Sequence, residues 1–137
     1  MLLYLDKTVK ERVVVFNYDK SESEEMGPGK NYVPAGLSKS EIAIIQQLIS
    51  NRVAVYNRVH SKPYERIIKP EKYFKKLVAA TNDAGEKKVV AFCYCTVLKD
   101  FLKKGNGVTS DGGRCYFVVR INLTKRKVEK FSTGGLG

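Results

Sequence analysis

Two stretches decide the fold, VVAFCYC at 89–95 and GGRCYFVVRINLT at 112–124, and together they hold the three cysteines of the chain. Both stretches are rich in β-branched and aromatic residues, which favour strands. Because side chains alternate along a strand, Cys93 and Cys95 share one face of the first stretch. Cys115 lies on the more apolar face of the second. If the two strands pair antiparallel, all three cysteines are expected to lie close together against the core.

Four roles are open for these cysteines. Free cysteine packs well in apolar cores, and a disulfide between Cys115 and either Cys93 or Cys95 is the second possibility. Cys93 and Cys95 are two residues apart in an extended strand, near the limit of disulfide geometry. A zinc site lacks a fourth ligand and a catalytic thiol lacks a base, because His60 is the single histidine. The sequence therefore predicts neither a metal site nor a cofactor.

The flanking segments predict further strands of the same sheet. EKYFKKLVAATN at 71–82 is assigned to a strand, because turn residues and the strand at 89–95 follow it, as in an antiparallel hairpin. RVVVFNY at 12–18 is also assigned to a strand, and VEKFS at 128–132 is assigned to the last one. Residues 19–36 hold Ser, Glu, Gly and Pro without periodicity, which predicts a polar loop.

A long helix is predicted over residues 37–61. Ser38 and Glu41 form the S-x-x-E pattern of a capping box. The stretch IAIIQQLISNRVAVYNRVH then keeps a helical apolar period over roughly half of the helix circumference. Arg52 interrupts this arc and is expected either to reach past the sheet edge or to pair with a buried carboxylate. Ser61-Lys62-Pro63 ends the helix. The centre of the apolar face is formed by Ile42, Ile45, Ile49, Val53 and Tyr56.

These elements predict an α+β fold, in which one long helix packs on a curved antiparallel sheet of four to five strands in the order β-α-β-β-β-β. A chain of 137 residues is expected to form a single domain, residues 1–137, with its own core. Residues 1–36 are expected to hold a strand and the polar loop, and residues 64–135 an antiparallel meander. The apolar runs are too short to span a bilayer.

The chain is basic, with 25 Lys and Arg against 14 Asp and Glu and a formal net charge of +11. Such a charge attracts nucleic acid, anionic lipid or acidic proteins, and it is equally compatible with an ordinary solvated surface. The basic residues are spread along the chain rather than gathered in a tail. The residues predicted to bind a polyanion are Lys69, Lys72, Lys75, Lys76, Lys87 and Lys88.

Five short motifs follow one another between residues 37 and 135. They are Tyr56-Asn57, Gly85-Glu86-Lys87, Cys93 with Cys95, Asp111 to Phe117, and Asn122-Leu123-Thr124. In this order they resemble a family of small, largely uncharacterised secreted bacterial proteins with a cystatin-like fold, similar also to NTF2-like folds. Members often carry Trp and Asn where this chain has Val90 and Phe92. The resemblance implies a cystatin-like fold and export, and it brings no established activity.

No catalytic constellation stands out, so the sequence favours a non-catalytic binding or scaffold module with an unknown ligand over an enzyme. Hairpin tips and the sheet face opposite the helix are the expected binding surfaces, since loops on rigid scaffolds usually carry function. One alternative is a basic module that binds nucleic acid or another polyanion. The candidates for a ligand face are Arg52, Tyr94 and Tyr116.

The resemblance raises a second alternative, a cystatin-type cysteine protease inhibitor. Inhibitory cystatins insert an apolar wedge, whereas the hairpin turns here, TNDAGEK and LTKRK, are charged, and burying unpaired charge is costly. We expect an exported protein, periplasmic or at the cell surface, whose signal is not in this sequence, with a cytoplasmic location as the alternative. The expected partner is a protein or a polyanion, and the chain is expected to be a monomer or a dimer paired through a sheet edge.

Overall fold

A computed structural model describes residues 12–60, 62, 66–67, 69–95 and 115–133. Within these ranges the chain is α+β, as predicted, with one long helix packed on a sheet. The helix α1 spans Lys39–Arg58, and two 3₁₀ segments span Lys20–Met26 and Pro70–Lys72. The strands are β1 (Val13–Phe16), β2 (Val33–Pro34), β3 (Phe74–Thr81), β4 (Lys87–Tyr94), β5 (Tyr116–Asn122) and β6 (Lys127–Thr133).

The helix begins with the predicted capping box. The Ser38 Oγ accepts a hydrogen bond from the backbone N–H of Glu41 at 3.1 Å, and the Glu41 carboxylate accepts one from the Ser38 N–H at 2.9 Å. Two backbone donors that a helix start leaves unpaired are thereby satisfied. The helix ends at Arg58, while Ser61 and Pro63 of the predicted stop lie outside the described residues. In the described ranges no helix is long and apolar enough to cross a membrane.

Only part of the predicted apolar arc of α1 is buried. Ile45, Ile49 and Val53 are buried, whereas Val55 and Val59 are 43% and 76% exposed. A helix that lies on a sheet buries only the stripe that faces the sheet, so the contact is narrower than the sequence pattern predicts. This side of the sheet is the inner face. Its strands contribute Val13, Leu77, Ala79, Val89, Ala91, Cys93, Phe117, Val119 and Ile121 to the inner core.

The sheet is mixed, so the prediction of an antiparallel sheet of four to five strands was wrong. The strand order is β1-β3-β4-β5-β6, and β2 also pairs with β3. Strand β1 runs parallel to β3, with Val13 opposite Lys75, while the other pairs are antiparallel. Parallel neighbours need a long crossover connection, and the chain from β1 through α1 to β3 provides it. The short strand β2, from a segment predicted to be loop, brings the sheet to six strands within the described ranges.

The sheet face opposite the helix, the outer face, is also largely covered. Residues 17–32, which we call the outer segment, fold across it and bury Met26 completely. The Tyr32 hydroxyl holds the segment in place by donating to the carbonyl oxygen of Pro28 at 2.7 Å. This part of the predicted polar loop is therefore a structural layer. The outer core beneath it contains Val14, Phe16, Tyr18, Met26, Tyr32, Val78, Ala80, Val90, Phe92, Tyr94 and Tyr116.

Replacing Glu41 by alanine is expected to lower the free energy of unfolding by about 1 kcal/mol at neutral pH, because the capping box is lost. Two hydrogen bonds hold the pKa of Glu41 below its ordinary value of 4.5. The larger effect comes from the Ser38 backbone and the smaller one from the Lys87 side chain. A carboxyl with a depressed folded-state pKa stabilises above its unfolded value and loses that contribution as the pH falls through the folded one. Urea unfolding of both proteins should therefore show the difference shrinking in acid.

The matched control is Glu41→Gln, which keeps a hydrogen-bonding side chain at the third helical position and removes only the charge. It should cost less than the alanine variant at neutral pH. A Glu41→Ala difference that stays constant from neutral pH to well below 4.5 would contradict the assignment of this carboxylate.

Candidate binding cleft on the outer face

A cleft of about 310 Å³ opens on the outer face of β4, β5 and β6, beside the outer segment. Its floor is apolar and consists of Val90, Phe92, Tyr116 and Val118. These residues alternate along β4 and β5 and meet in register, with Phe92 opposite Val118. Ligand pockets commonly combine an apolar lining with a few convergent polar groups. Here the apolar lining is the floor of the cleft, and it is rigid because β4 and β5 are paired along their length.

Two cations stand directly opposite each other in the cleft. Arg120 of β5 is paired in register with Lys130 of β6, and both side chains line the cleft. Like charges directly opposed on neighbouring strands destabilise a sheet. Ser132, opposite Val118, adds a hydroxyl to the same wall. This wall, formed by Arg120, Lys130 and Ser132, we call the basic wall.

A β-bulge beside the basic wall brings in one carboxylate. The register shifts between Arg120 and Ile121, which leaves Glu129 as an extra residue in β6. The two Glu129 oxygens accept hydrogen bonds from the Lys88 ammonium at 2.8 and 2.9 Å. The Glu129 Oε1 also lies 3.4 Å from the Nε of Arg120. One negative charge is thus shared between two positive groups, and its hydrogen bonds go to Lys88.

The Arg120 guanidinium is held against the outer segment at Gly27. Gly27 has a φ of +87°, a conformation that L side chains rarely adopt, and a Cβ there would lie 2.6 Å from the Arg120 Cζ. The missing side chain therefore leaves room for the guanidinium. The Arg120 Nε is buried, forms an ion pair with the Glu129 Oε1 at 3.4 Å, and makes no hydrogen bond to a described residue. Arg120 is thus positioned by packing against Gly27 and by its ion pair with Glu129.

The outer segment contributes an acidic wall, formed by Glu24 and Glu25. Burial, together with the negative charge of Glu25, raises the pKa of Tyr116 to about 12. The phenol is uncharged at physiological pH, as an unperturbed tyrosine also is, and it can donate or accept a hydrogen bond without carrying charge. The cleft thus offers an apolar floor that includes a neutral tyrosine, a basic wall and an acidic wall.

Of the three residues predicted to form a ligand face, only Tyr116 lies in the cleft. Tyr94 stacks on Tyr116 with ring centroids 5.0 Å apart, but it is completely buried in the outer core. Arg52 lies on the helix side of the sheet, with its guanidinium 4.5 Å from the centre of the Phe131 ring. The Nη1 of Arg52 is buried and has no hydrogen-bond partner within the described ranges, so at this atom the carboxylate pair, one of the two expected alternatives, is not found.

The six lysines predicted to bind a polyanion do not form one exposed surface. Lys75 and Lys76 are 1% and 0% exposed. The Lys75 ammonium donates to the carbonyl oxygen of Pro70 at 2.8 Å, and burial lowers its pKa. The Lys76 ammonium lies 5.2 Å from the ring centre of Phe16 and 5.1 Å from that of Phe92, as a cation–π contact. Both lysines are therefore part of the two cores.

Lys87 and Lys88 are also engaged inside the protein. The Lys87 ammonium lies 2.9 Å from the Glu41 carboxylate, and Lys88 is held by the bulge carboxylate described above. Lys69 and Lys72 are the members of the set that remain exposed. The sequence could not show that Lys75 and Lys76 are buried, because their burial depends on β3 being covered on both faces. A strand in that position places all of its side chains, lysines included, in a core.

The structure joins Cys95 to Cys115 in a disulfide with a Cα–Cα distance of 4.8 Å, and Cys93 is a free, buried thiol. Two of the roles left open by the sequence are thus both found: Cys95 and Cys115 form a disulfide, and Cys93 is a free cysteine in the core. Burial raises the pKa of Cys93 to about 12, so its thiol is not a nucleophile at neutral pH. No group of three His, Cys, Asp or Glu side chains in the described part of the chain could hold a metal ion.

The residues missed by sequence reasoning are the charged walls of the cleft: Arg120, Lys130, Glu24 and Glu25. Arg120 carried one signal, since it lies on the same strand face as Tyr116 and Val118. Its pairing with Lys130 depends on the bulge in β6, and no pattern of residues in the sequence predicts that bulge. The acidic wall depends on the fold of the outer segment.

The fold and the cleft together define an α+β protein with a polar-rimmed cleft on a mixed sheet. Comparison of the chain with protein-family profiles, with curated proteins and with solved structures found no match. The resemblance to cystatin-like secreted proteins therefore stays a prediction.

Proposed function

We propose that this protein is a non-catalytic binding module and that the cleft on the outer face takes a small ligand. The observation that carries the proposal is the convergence of the basic wall and the acidic wall on one apolar floor that includes Tyr116. Concave apolar sites with a few placed polar groups are the usual form of a ligand site. Because the floor is built on paired strands, its geometry is rigid and suited to binding.

Two further features support binding over chemistry. Burial raises the pKa of Tyr116 to about 12, further above neutral than its usual 10, so the phenol is a poor general base. The free thiol of Cys93 lies on the inner face, away from the cleft, and its raised pKa keeps it protonated. A cleft that binds without proton transfer is consistent with both observations.

Export is part of the same proposal, and the disulfide between Cys95 and Cys115 supports it. Disulfides persist in oxidising compartments and are rare in the cytosol. The cystatin-like form of the fold is supported by the helix packed on the sheet, while the parallel strand β1 departs from an antiparallel meander.

Neither alternative function receives comparable support. The polyanion alternative needs six exposed lysines, and four of them are engaged within the protein, as described above. For protease inhibition, the β3–β4 and β5–β6 turns do lie side by side, with the Lys125 ammonium 3.3 Å from the Glu86 carboxylate. Both turns present charged side chains, which does not suit an apolar wedge.

The proposal is tested by titrating the ¹⁵N-labelled protein with indole, phenol and benzoate and following amide shifts by NMR. We expect the largest shifts at β4, β5 and β6 around the cleft, with Kd values on the order of 1 mM for probes of this size. Val118→Trp should weaken binding at least about tenfold. The larger side chain would occupy the space of the probe, which could then no longer bury its apolar surface on the floor.

Val33→Trp is the matched control, because Val33 is an exposed valine on β2, which pairs with β3 and does not line the cleft. It should bind the probes as the unchanged protein does. Amide shifts that cluster elsewhere, or Val118→Trp and Val33→Trp proteins that bind alike, would overturn the proposal.

A further inference from the structure

The basic wall of the cleft places two positive charges next to each other on adjacent strands. Arg120 and Lys130 face each other directly across two strands, and such like-charged pairs cost stability. Glu129 gives both of its oxygens to Lys88 in hydrogen bonds and touches Arg120 only at 3.4 Å. The basic wall thus places two positive groups side by side with one carboxylate in ion-pair range of Arg120, while the other carboxylates of the cleft, Glu24 and Glu25, belong to the outer segment.

We propose that the cleft is selective for small, singly charged carboxylates that carry an aromatic or bulky apolar body, with Arg120 and Lys130 as the anion-binding residues. This inference rests on the proposed function, since it names the ligand class of the same cleft. A planar guanidinium matches a carboxylate with two parallel hydrogen bonds, and these charge-assisted bonds are the stronger kind. Lys130 adds a second charge within reach of the same carboxylate.

The geometry of Arg120 suits this role. Its guanidinium packs where Gly27 lacks a side chain, so it is held in one place before a ligand arrives. Pre-organised groups bind more tightly, because the entropy of ordering them has already been lost on folding.

The floor determines the body of the ligand. Phe92, Tyr116 and Val118 present ring and aliphatic surface beside the basic wall. An aromatic ring placed on this floor can stack on Tyr116 or contact the edge of Phe92, and aromatic pairs add to the gain from burial. The cleft volume of about 310 Å³ limits the ligand to a body of about one ring with a short arm.

The acidic wall restricts the charge of the ligand. Glu24 and Glu25 border the same cleft, so a second negative charge on the ligand would meet carboxylates instead of the basic wall. A phosphate monoester carries close to two charges at neutral pH. We therefore expect monoanionic carboxylates to bind and phosphate monoesters of the same size to be disfavoured.

The experiment compares three probes of similar shape by NMR titration of the full chain: 3-phenylpropionate, its neutral amide 3-phenylpropanamide, and phenyl phosphate. We expect the carboxylate to bind about tenfold more tightly than the amide, as one charge-assisted contact would give. Phenyl phosphate is expected to bind more weakly than 3-phenylpropionate. Arg120→Gln should remove the preference for carboxylate over amide while amide binding persists on the floor.

Lys130→Thr separates the binding role from a structural one. It should weaken 3-phenylpropionate about threefold to tenfold. It should also raise the melting temperature of the free protein by about 1–3 °C, because the opposed like charges are gone. Lys127→Thr, a change on the same strand at an exposed residue outside the cleft lining, is the matched control and should leave carboxylate affinity unchanged.

The outcomes distinguish the two proposals. Amide and carboxylate binding equally tightly in the cleft would overturn the carboxylate inference and leave the binding module standing. Tighter binding of phenyl phosphate would overturn the restriction to one charge. If none of the probes shifts amides around the cleft, the proposed function itself fails.

Discussion

Replacing Met26 by alanine is expected to lower the free energy of unfolding by about 2–5 kcal/mol, the range for large-to-small changes at fully buried sites. Met26 is the completely buried side chain of the outer segment, and it packs among residues of β3, β4 and β5 in the outer core. Its removal would leave a cavity beneath the 3₁₀ segment Lys20–Met26, which is not held to the sheet by strand pairing. Urea unfolding followed by circular dichroism measures the change.

Met26→Leu is the control, because it keeps the volume and should cost less than about 1.5 kcal/mol. A change below about 0.5 kcal/mol in the alanine variant is the size found at ordinary surface positions. That result would mean that the outer segment does not cover the sheet, and the acidic wall of the cleft would be misplaced with it.

Removing the disulfide with Cys95→Ser and Cys115→Ser together is expected to cost about 3 kcal/mol, the value that loop-closure entropy gives for a separation of 20 residues. The bond joins the end of β4 to the start of β5, next to the stacked pair of Tyr94 and Tyr116. Without the disulfide, strand pairing alone has to offset the entropy cost of closing the loop between β4 and β5. Guanidinium unfolding of the oxidised protein and the double variant gives the difference.

Thiol counting provides the control for this prediction. The unchanged protein should show one thiol, that of Cys93, which reacts only after denaturation because it is buried. Reduction should increase the intact mass by two hydrogens. Cys93→Ala should keep the disulfide and its mass shift. Three free thiols in protein purified without a reductant would contradict the pairing of Cys95 with Cys115.

The cysteines show how far the sequence reaches into the structure. Alternation along a strand correctly placed Cys93 on the face that packs against the helix, since Cys93 is in the inner core. The choice between Cys93 and Cys95 as the partner of Cys115 depends on register, and register is a property of two strands together. With Tyr94 opposite Tyr116, Cys95 comes next to Cys115 and Cys93 is paired with Phe117.

The candidate site was less predictable than the fold. Tyr116 was named from its strand position, but the residues that give the cleft its charge come from three separate segments: the outer segment, β5 and β6. Lys130 faces Arg120 because of one extra residue in β6. A bulge of this kind depends on packing between the two strands. It cannot be predicted from the hydrophobic period of one strand or from the composition of the turn.

By itself, the sequence determined the local elements of this protein. The capping box at Ser38 and Glu41 marked the helix start, and β-branched and aromatic runs marked the longer strands, because these are preferences of neighbouring residues. The tertiary structure alone decided the parallel pairing of β1, the burial of Lys75 and Lys76, and the folding of the outer segment over the second face. Each of these depends on contacts between segments far apart in the chain, whose energies arise only when both partners are in place.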